Sequence, residues 1–282
     1  MKRLATFLSM SLAAAVTTGG SALAAKPEDW QIGMQPAASP VMAELQDFHN
    51  LLLVIITGIT IFVLALLVYV FYRFSEKRNP EPSKTSHNTV LEVLWTVVPV
   101  IILVVIAIPS FKLLYFMDRI PDSDMTVKAI GRQWYWSYEY PDHGGFQFDS
   151  FMIPADQLEE GDLRQLSADT ALVIPEDTTV RILVTASDVL HSFAMPAFGI
   201  KTDAVPGRLN ETWVRVDEPG TYYGQCSEIC GTGHADMPIE VQVLPKDEFE
   251  KWVEGAKEEY ASTMPKSPVA DDRQIAEADS QD

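Results

Sequence analysis

Cys226-Ser227-Glu228-Ile229-Cys230-Gly231-Thr232-Gly233-His234-Ala235-Asp236-Met237 packs two thiols, an imidazole and a thioether into one short stretch. These are the only two cysteines in the 282-residue chain. Soft sulfur donors combined with imidazole suit copper best among the common biological metals. A mononuclear blue-copper site needs one Cys, two His and a weak axial Met. Here a second cysteine follows four residues after the first, and two thiolates that close can each bridge two metal ions. The spacing therefore points to a binuclear copper centre. A second histidine must come from elsewhere, and Asp188-Val189-Leu190-His191-Ser192-Phe193 supplies one. The competing readings are a Cys226–Cys230 disulfide in an exported protein, or two buried free thiols. Neither of those needs His234 or Met237, whereas a copper site needs both.

The motif begins where Tyr222-Tyr223-Gly224-Gln225 ends, and that stretch reads as a strand. Around it, from Met125 to Leu244, the pattern is one of short strands. Val180, Ile182 and Val184 alternate with Arg181, Leu183 and Thr185, and Trp213-Val214-Arg215-Val216 and Ile239-Glu240-Val241-Gln242-Val243 look similar. Pro175-Glu176-Asp177, Pro206-Gly207 and Glu218-Pro219-Gly220 punctuate them as turns. Strands at this spacing predict an antiparallel sandwich or Greek-key barrel, with the metal ligands on a loop at one end. Lys246 to Tyr260 reads as a closing helix, so the β domain with its helix covers 119–260. The tail over 261–282 is polar and acidic and is expected to be disordered.

Upstream, residues 1–25 open with Lys2 and Arg3, run apolar from Leu4 to Val16 and end Ala22-Leu23-Ala24-Ala25. That is the layout of a secretory signal peptide cleaved after Ala24 or Ala25. Residues 26–118 follow as a polar N-terminal segment and a membrane hairpin. Pro27, Pro36 and Pro40 discourage a long helix until after Pro40. Leu51 to Phe71 and Val93 to Phe111 carry no charge, which predicts bilayer-crossing helices at about 48–72 and 91–115. Pro99 and Pro109 predict a kink or local break in the second. Arg73, Lys77, Arg78 and Lys84 lie between the helices, and the positive-inside rule puts that loop in the cytoplasm. Both mature termini and everything after about residue 118 then face the periplasm, as a signal peptide also requires.

The net charge of −18 argues against nucleic-acid binding, because phosphate would be repelled. Residues 118–250 hold 24 Asp and Glu against nine Lys and Arg. Such a surface suits a basic protein partner, whose approach it would steer; simple solubility is the alternative.

Ser187 to Phe193, Gly199 to Asn210, Glu211 to Pro238 and Gly131-Arg132-Gln133-Trp134-Tyr135-Trp136-Ser137-Tyr138-Glu139-Tyr140 together resemble subunit 2 of cytochrome c oxidase, of the copper A-containing, bacterial aa3 type. The likeness runs from about Ser39 to Trp252. It implies a two-helix transmembrane hairpin carrying an all-β, cupredoxin-like Greek-key sandwich. It implies an electron-entry subunit in the inner membrane, which accepts electrons from cytochrome c at copper A and passes them to subunit 1. Oxygen reduction to water, coupled to proton pumping, belongs mainly to that subunit. By resemblance, Cys226 and Cys230 bridge both coppers; His191 and Met237 complete one, and His234 with the Glu228 carbonyl completes the other. The Glu228 carboxylate would ligate a magnesium ion shared with subunit 1, though by itself it reads as a solvated loop acid. Trp134 becomes the indole where electrons enter; without the resemblance it reads as a core or interface aromatic. Glu139, Asp169 and Asp188 match docking acids, while Ser187 and Gly145 stand where acids are often found. Glu92 matches a residue near a proton entrance, yet Thr89-Val90-Leu91-Glu92 also reads as a capping box starting a helix.

Two rivals come from other classes. A membrane-anchored copper-binding or copper-delivery protein would bind labile copper and take no electrons from cytochrome c. A structural anchor with a Cys226–Cys230 disulfide would bind no metal. No C-x-x-C-H is present, so a covalently attached haem c is not expected. A quinol oxidase subunit would share the fold but lack the copper ligands.

Overall fold

The structure, a computed structural model, describes residues 25–260. The expected signal peptide over 1–25, except its last residue Ala25, and the expected acidic tail over 261–282 lie outside the described residues.

Two long helices come first. α1 runs Pro40–Arg73, and α2 runs Thr89–Asp118. Both are long and apolar enough to cross a membrane. Their apolar side chains, such as Phe62, Leu64, Val104 and Ile108, face outward. Outward apolar faces on a spanning helix meet lipid or partner subunits, because the helix satisfies its own backbone. α1 starts well ahead of the expected position near 48, for a local reason. Ser39 is an N-cap whose hydroxyl accepts from Met42 N at 3.1 Å, and Pro40 at the first helical position has its φ already set.

α2 runs unbroken through Pro99 and Pro109, so of the expected kink or local break the break does not occur. Proline's φ is itself helical, and each proline removes only one main-chain donor. The helix start also differs from the expected box. The cap is Asn88, not Thr89: its side-chain oxygen accepts from Val90 N and Leu91 N at 3.1 and 3.2 Å. Asparagine's short amide reaches both orphan donors from extended backbone, which makes it a strong cap. Glu92 still reciprocates, accepting from Asn88 N at 3.3 Å.

The rest is two five-stranded sheets. One has the order β3-β2-β1-β5-β8 and comprises β1 (Met125–Arg132), β2 (Tyr135–Tyr140), β3 (Phe146–Ser150), β5 (Val180–Ala186) and β8 (Asn210–Val214). The other has the order β4-β10-β9-β6-β7 and comprises β4 (Leu172–Pro175), β6 (His191–Met195), β7 (Ile200–Ala204), β9 (Gly220–Cys226) and β10 (Pro238–Leu244). Most neighbours are antiparallel, but β1 with β5 and β4 with β10 are parallel. The expected sandwich is present, but it is not antiparallel throughout: those two pairs run parallel. Long connections, such as Phe151–Ala171 ahead of β4, bring the strands back in the same direction, and alternation alone carries no strand direction.

β5 shows the period of two directly, with Val180, Ile182 and Val184 buried and the residues between them partly exposed. One core lies between the sheets, from Val127, Trp136 and Tyr138 on one side to Phe193, Tyr222 and Val241 on the other. α3 (Lys246–Tyr260) closes it with Phe249, Val253 and Ala256 buried on one face.

The hairpin is fastened to the sandwich just beyond β6. Ser39 donates its hydroxyl to Phe198 O at 2.7 Å while capping α1, and Ala38 N donates to Ala197 O at 2.9 Å. Gly199, at φ +68, lets this turn press against Met42; a Cβ there would sit 3.0 Å from Met42 Cα. The end of α2 adds an edge-on contact of Phe116 with Trp213, at 5.6 Å between centroids. Ser39→Ala removes the cap and leaves a buried carbonyl without its donor. It should lower stability by about 2 kcal/mol, read as a lower thermal midpoint of the detergent-solubilised chain. An unchanged midpoint would show that Ser39 fastens nothing.

Candidate metal centre

Three neighbouring strand ends bring the donors together. Cys226 is the last residue of β9, and Met237 directly precedes β10. These strands pair antiparallel with Pro238 opposite Gln225, so Cys226 and Met237 meet across the next rung, Cys226 N donating to Met237 O at 3.3 Å. β6 lies on the other side of β9 with Phe193 opposite Cys226, which brings His191, its first residue, to the same end. The loop between Cys226 and Met237 is tied to β6, Ser227 N donating to Ser192 O, and folds on itself through His234 N to Gly231 O and Asp236 N to Gly233 O. That carries Cys230 and His234 back over the strand ends.

The donor atoms form one cluster. Cys226 Sγ lies 3.9 Å from Cys230 Sγ and 4.0 Å from His191 Nδ1. Cys230 Sγ lies 3.5 Å from His234 Nδ1 and 3.6 Å from Met237 Sδ. The Cys226 thiol also donates to the Glu228 carbonyl at 3.4 Å. Both cysteines are free, and their separation is far beyond the roughly 2.05 Å of a disulfide. His191, Met237, Cys230 and Cys226 are 0, 1, 4 and 5% exposed, so water is excluded from all but the His234 side. Two sulfurs, two imidazole nitrogens, a thioether and a carbonyl, all within van der Waals reach, fit a soft metal such as copper. The Glu228 carboxylate is outside the cluster of His, Cys and carboxylate ligand atoms formed by His191, Cys226 and Cys230.

His191 is held on every side. Its Nδ1 faces Cys226, and its Nε2 lies 2.9 Å from Asp188 Oδ1. A carboxylate on the far nitrogen fixes which nitrogen faces a metal and which way the ring points. Trp136 packs edge-on against the ring at 6.1 Å, and Gly131 lies against its other side, where a Cβ would come within 2.8 Å of Cδ2. Asp188 has further tasks: Oδ1 accepts from Val189 N at 2.6 Å and Oδ2 from Gln133 N at 2.7 Å.

Gln133 and Trp134 form the turn between β1 and β2, on the opposite sheet. Trp134 is therefore not a strand residue. Its Nε1 donates to Cys230 O at 3.2 Å, and the Gln133 side-chain amide donates to the same carbonyl at 3.0 Å. The indole lies flat on Gly231 and Gly233. A Cβ on Gly233 would come within 2.5 Å of Trp134 Cδ2, although Gly233 itself has an ordinary φ of −91. Glycine is needed there for space alone. Sequence reasoning missed this, and its one signal was the pair of glycines beside the donor residues. Gln133 gave no signal at all.

The other singled-out acids are engaged elsewhere. Glu139 pairs with Lys128 at 3.0 Å, and Asp169 accepts from Phe151 N at 2.8 Å. Glu92 lies in the first turn of α2, at the end of the helix that adjoins the interhelical loop.

Burial pushes the Cys226 thiol up, but hydrogen bonding from His191 and from the main chain at Glu228 and Ser192 outweighs it, bringing its pKa down to about 6. Burial and the neighbouring Cys226 charge push Cys230 up to about 12. Burial lowers His191, but its contacts with Cys226 and Asp188 raise it overall. Burial raises Asp188, yet His191 and the Val189 and Gln133 amides hold it below the usual carboxylate range. The two thiols thus share one negative charge, as close like charges must.

The chain matches the family "Cytochrome C oxidase subunit II, transmembrane domain" over residues 27–113 and "Cytochrome C oxidase subunit II, periplasmic domain" over 125–244. It is 52% identical over 247 residues to the "Probable cytochrome c oxidase subunit 2" of Rickettsia bellii (strain RML369-C), covering 88% of this chain and 91% of that one. It is 50% identical over 238 residues to the "Cytochrome c oxidase subunit 2" of Oenothera berteroana, covering 82% and 92%. Among solved structures it resembles the periplasmic domain of subunit II of cytochrome oxidase (CoxB) of Bradyrhizobium japonicum at 51% identity and a TM-score of 0.48, covering 50% of this chain and 99% of that one. The chain belongs to the cytochrome c oxidase subunit II family. It is accordingly a membrane protein and a subunit of an oxidoreductase complex.

Two outcomes test the geometry. In metal-free protein, thiolate absorbance should appear for one cysteine with a midpoint near pH 6 and for the second only near pH 12. The depressed Cys226 pKa stabilises the fold fully above about pH 8.5, the ordinary thiol value, and that contribution is lost as pH falls through 6. Two thiolates appearing together near pH 8.5 would contradict the shared charge. Gly233→Ala should cost about 1–3 kcal/mol by overpacking, and most of that cost should vanish in a Trp134→Ala background. A penalty that persists without the indole would mean that the ring is not what Gly233 accommodates.

Proposed function

We propose that this chain is the electron-entry subunit of a cytochrome c oxidase. It accepts electrons from cytochrome c at a binuclear copper A centre and passes them to the haem/copper subunit 1, which reduces oxygen to water and pumps protons. The observation that carries this reading is the convergence of Cys226, Cys230, His191, His234 and Met237, with the Glu228 carbonyl, at 3.4–4.0 Å spacings around two free thiols. Those residues would hold the copper. When bound, it would supply one-electron acceptance and release shared over two bridged ions.

The protein's part is to hold that donor set still. Asp188 orients His191, and the strand pairing fixes Cys226 and Met237. Buried sulfur donors keep water out, so little needs to rearrange when charge changes. Trp134 would be the electron-entry residue. Its indole is partly exposed, and its N–H is hydrogen-bonded to Cys230, a residue that also carries one of the sulfurs. That hydrogen bond would link the outer surface to the donor cage.

The remaining assignments belong to the same proposal. The Glu228 carboxylate would hold magnesium together with oxygen donors of subunit 1, since one carboxylate is too little for that ion. The Arg73 to Lys84 loop would face the cytoplasm, with both mature termini and the β domain in the periplasm. Glu139, Asp169 and Asp188 would lie in the docking region for cytochrome c. The first is neutralised by Lys128 and the last turned toward His191, so steering would come largely from the acidic domain as a whole. Glu92 near a proton entrance remains compatible with its capping bond, and that bond alone accounts for the residue.

Metal analysis with optical and electron paramagnetic spectra tests the reading. Two coppers per chain in a mixed-valence state are expected, and reduction by cytochrome c should be fast. Met237→Leu should perturb the spectra and keep the copper, because a thioether is the weakest donor of the set. A single copper would sink the binuclear assignment. Labile copper that takes no electrons from cytochrome c would favour a delivery protein instead.

A further inference from the structure

We infer that Gln133 is a positioning residue: it clamps the Trp134 indole to the metal loop, and Asp188 ties that clamp to His191. The inference rests on the electron-entry reading of Trp134 for its kinetic consequence, but not for its geometry.

Gln133 is exposed and belongs to neither the donor set nor the core, yet it is held at both ends. Its main-chain N–H donates to Asp188 Oδ2 at 2.7 Å, and its side-chain amide donates to Cys230 O at 3.0 Å. Trp134 Nε1 donates to that same carbonyl at 3.2 Å, so the two lone pairs of one oxygen hold two successive side chains of the turn. The fit is close. A Cβ on Gly231 would lie 3.0 Å from Trp134 Cζ2 and 3.3 Å from both Gln133 Nε2 and Trp134 Nε1. The other Asp188 oxygen meets His191 Nε2 at 2.9 Å. One carboxylate thus joins the turn of one sheet to the first strand residue of the other. Imidazole, turn and metal loop are connected as one body.

The consequence follows from geometry. A lone N–H···O bond of about 3.2 Å near the surface contributes only about 1 kcal/mol net, too little to hold an indole in one place against water. A second donor on the same acceptor fixes the carbonyl and denies the indole an alternative resting place. Glutamine suits the position because its amide donates without carrying charge, so it adds nothing to the electrostatics of a docking face.

Gln133→Met keeps length and shape while removing the donor, and Gln133→Ala removes the reach as well. Full-length chain labelled with 5-fluorotryptophan gives a fluorine signal from each of the six tryptophans, and Trp134→Phe identifies the one from Trp134. Both Gln133 variants should shift or broaden that signal alone, in metal-free and in copper-loaded protein. In the assembled oxidase, stopped-flow reduction by cytochrome c should show unchanged association and salt dependence. The first-order electron-transfer step should slow about tenfold, the order expected when a reacting group is displaced by a fraction of an ångström. In a Trp134→Phe background, Gln133→Met should have no further effect. An unmoved Trp134 signal in both variants would overturn the clamp. So would a full kinetic loss from Gln133→Met when Trp134 is already phenylalanine, because Gln133 would then act by another route. If instead Trp134→Phe accepts electrons at the normal rate, the electron-entry reading fails, and the fluorine signal still decides the clamp by itself.

Discussion

Main-chain pairing of β6, β9 and β10 is the constraint on which the rest of the molecule depends. Because Phe193 faces Cys226 and Pro238 faces Gln225, the side chains of His191, Cys226 and Met237 meet at one end of three adjacent strands of one sheet. A slip of one residue in either pairing would turn one of these side chains to the opposite face, since side chains alternate along a strand. The register itself is fixed by the core, where Phe193, Tyr222, Ile239 and Val241 must all point inward. Hydrophobic burial over the whole sandwich thereby sets the spacing of a few polar and sulfur atoms at its end.

Charge at that end is governed by burial and pairing rather than by the strongly acidic surface. Two thiols 3.9 Å apart in a nearly dry site cannot both ionise readily, so one negative charge is shared and the imidazole beside it is drawn toward the protonated state. Asp188 illustrates how context redefines a residue. By position it resembles a docking acid, yet its carboxylate is taken up by His191 and two main-chain amides. An acid so committed presents less of its charge outward.

The two halves of the chain meet through few but specific contacts. Ser39 serves both halves with a single hydroxyl, starting α1 and bonding the turn that follows β6. The same β6 carries His191 at its other end, so a five-residue strand separates the membrane junction from the cluster of donor side chains. Extended strand is stiff along its length, and that stiffness keeps the cluster at a set distance from the helices.

Much of this was legible in the chain itself. The uncharged runs, the strand alternation around Val180–Val184, the closing helix Lys246–Tyr260 and the donor types of Cys226, Cys230, His234 and Met237 are local properties, carried by periodicity and side-chain chemistry. His191 could be nominated because a soft-metal site needs a second imidazole. What the tertiary structure alone decided are the features made by residues far apart in sequence. They include the parallel pairings of β1 with β5 and β4 with β10, the Asp188 bridge between imidazole and turn, the shared carbonyl of Cys230, and the glycines that make room for Trp134. Pattern along one strand says which face is buried but nothing about which strand lies beside it or across the core. Those contacts exist only once two sheets have packed.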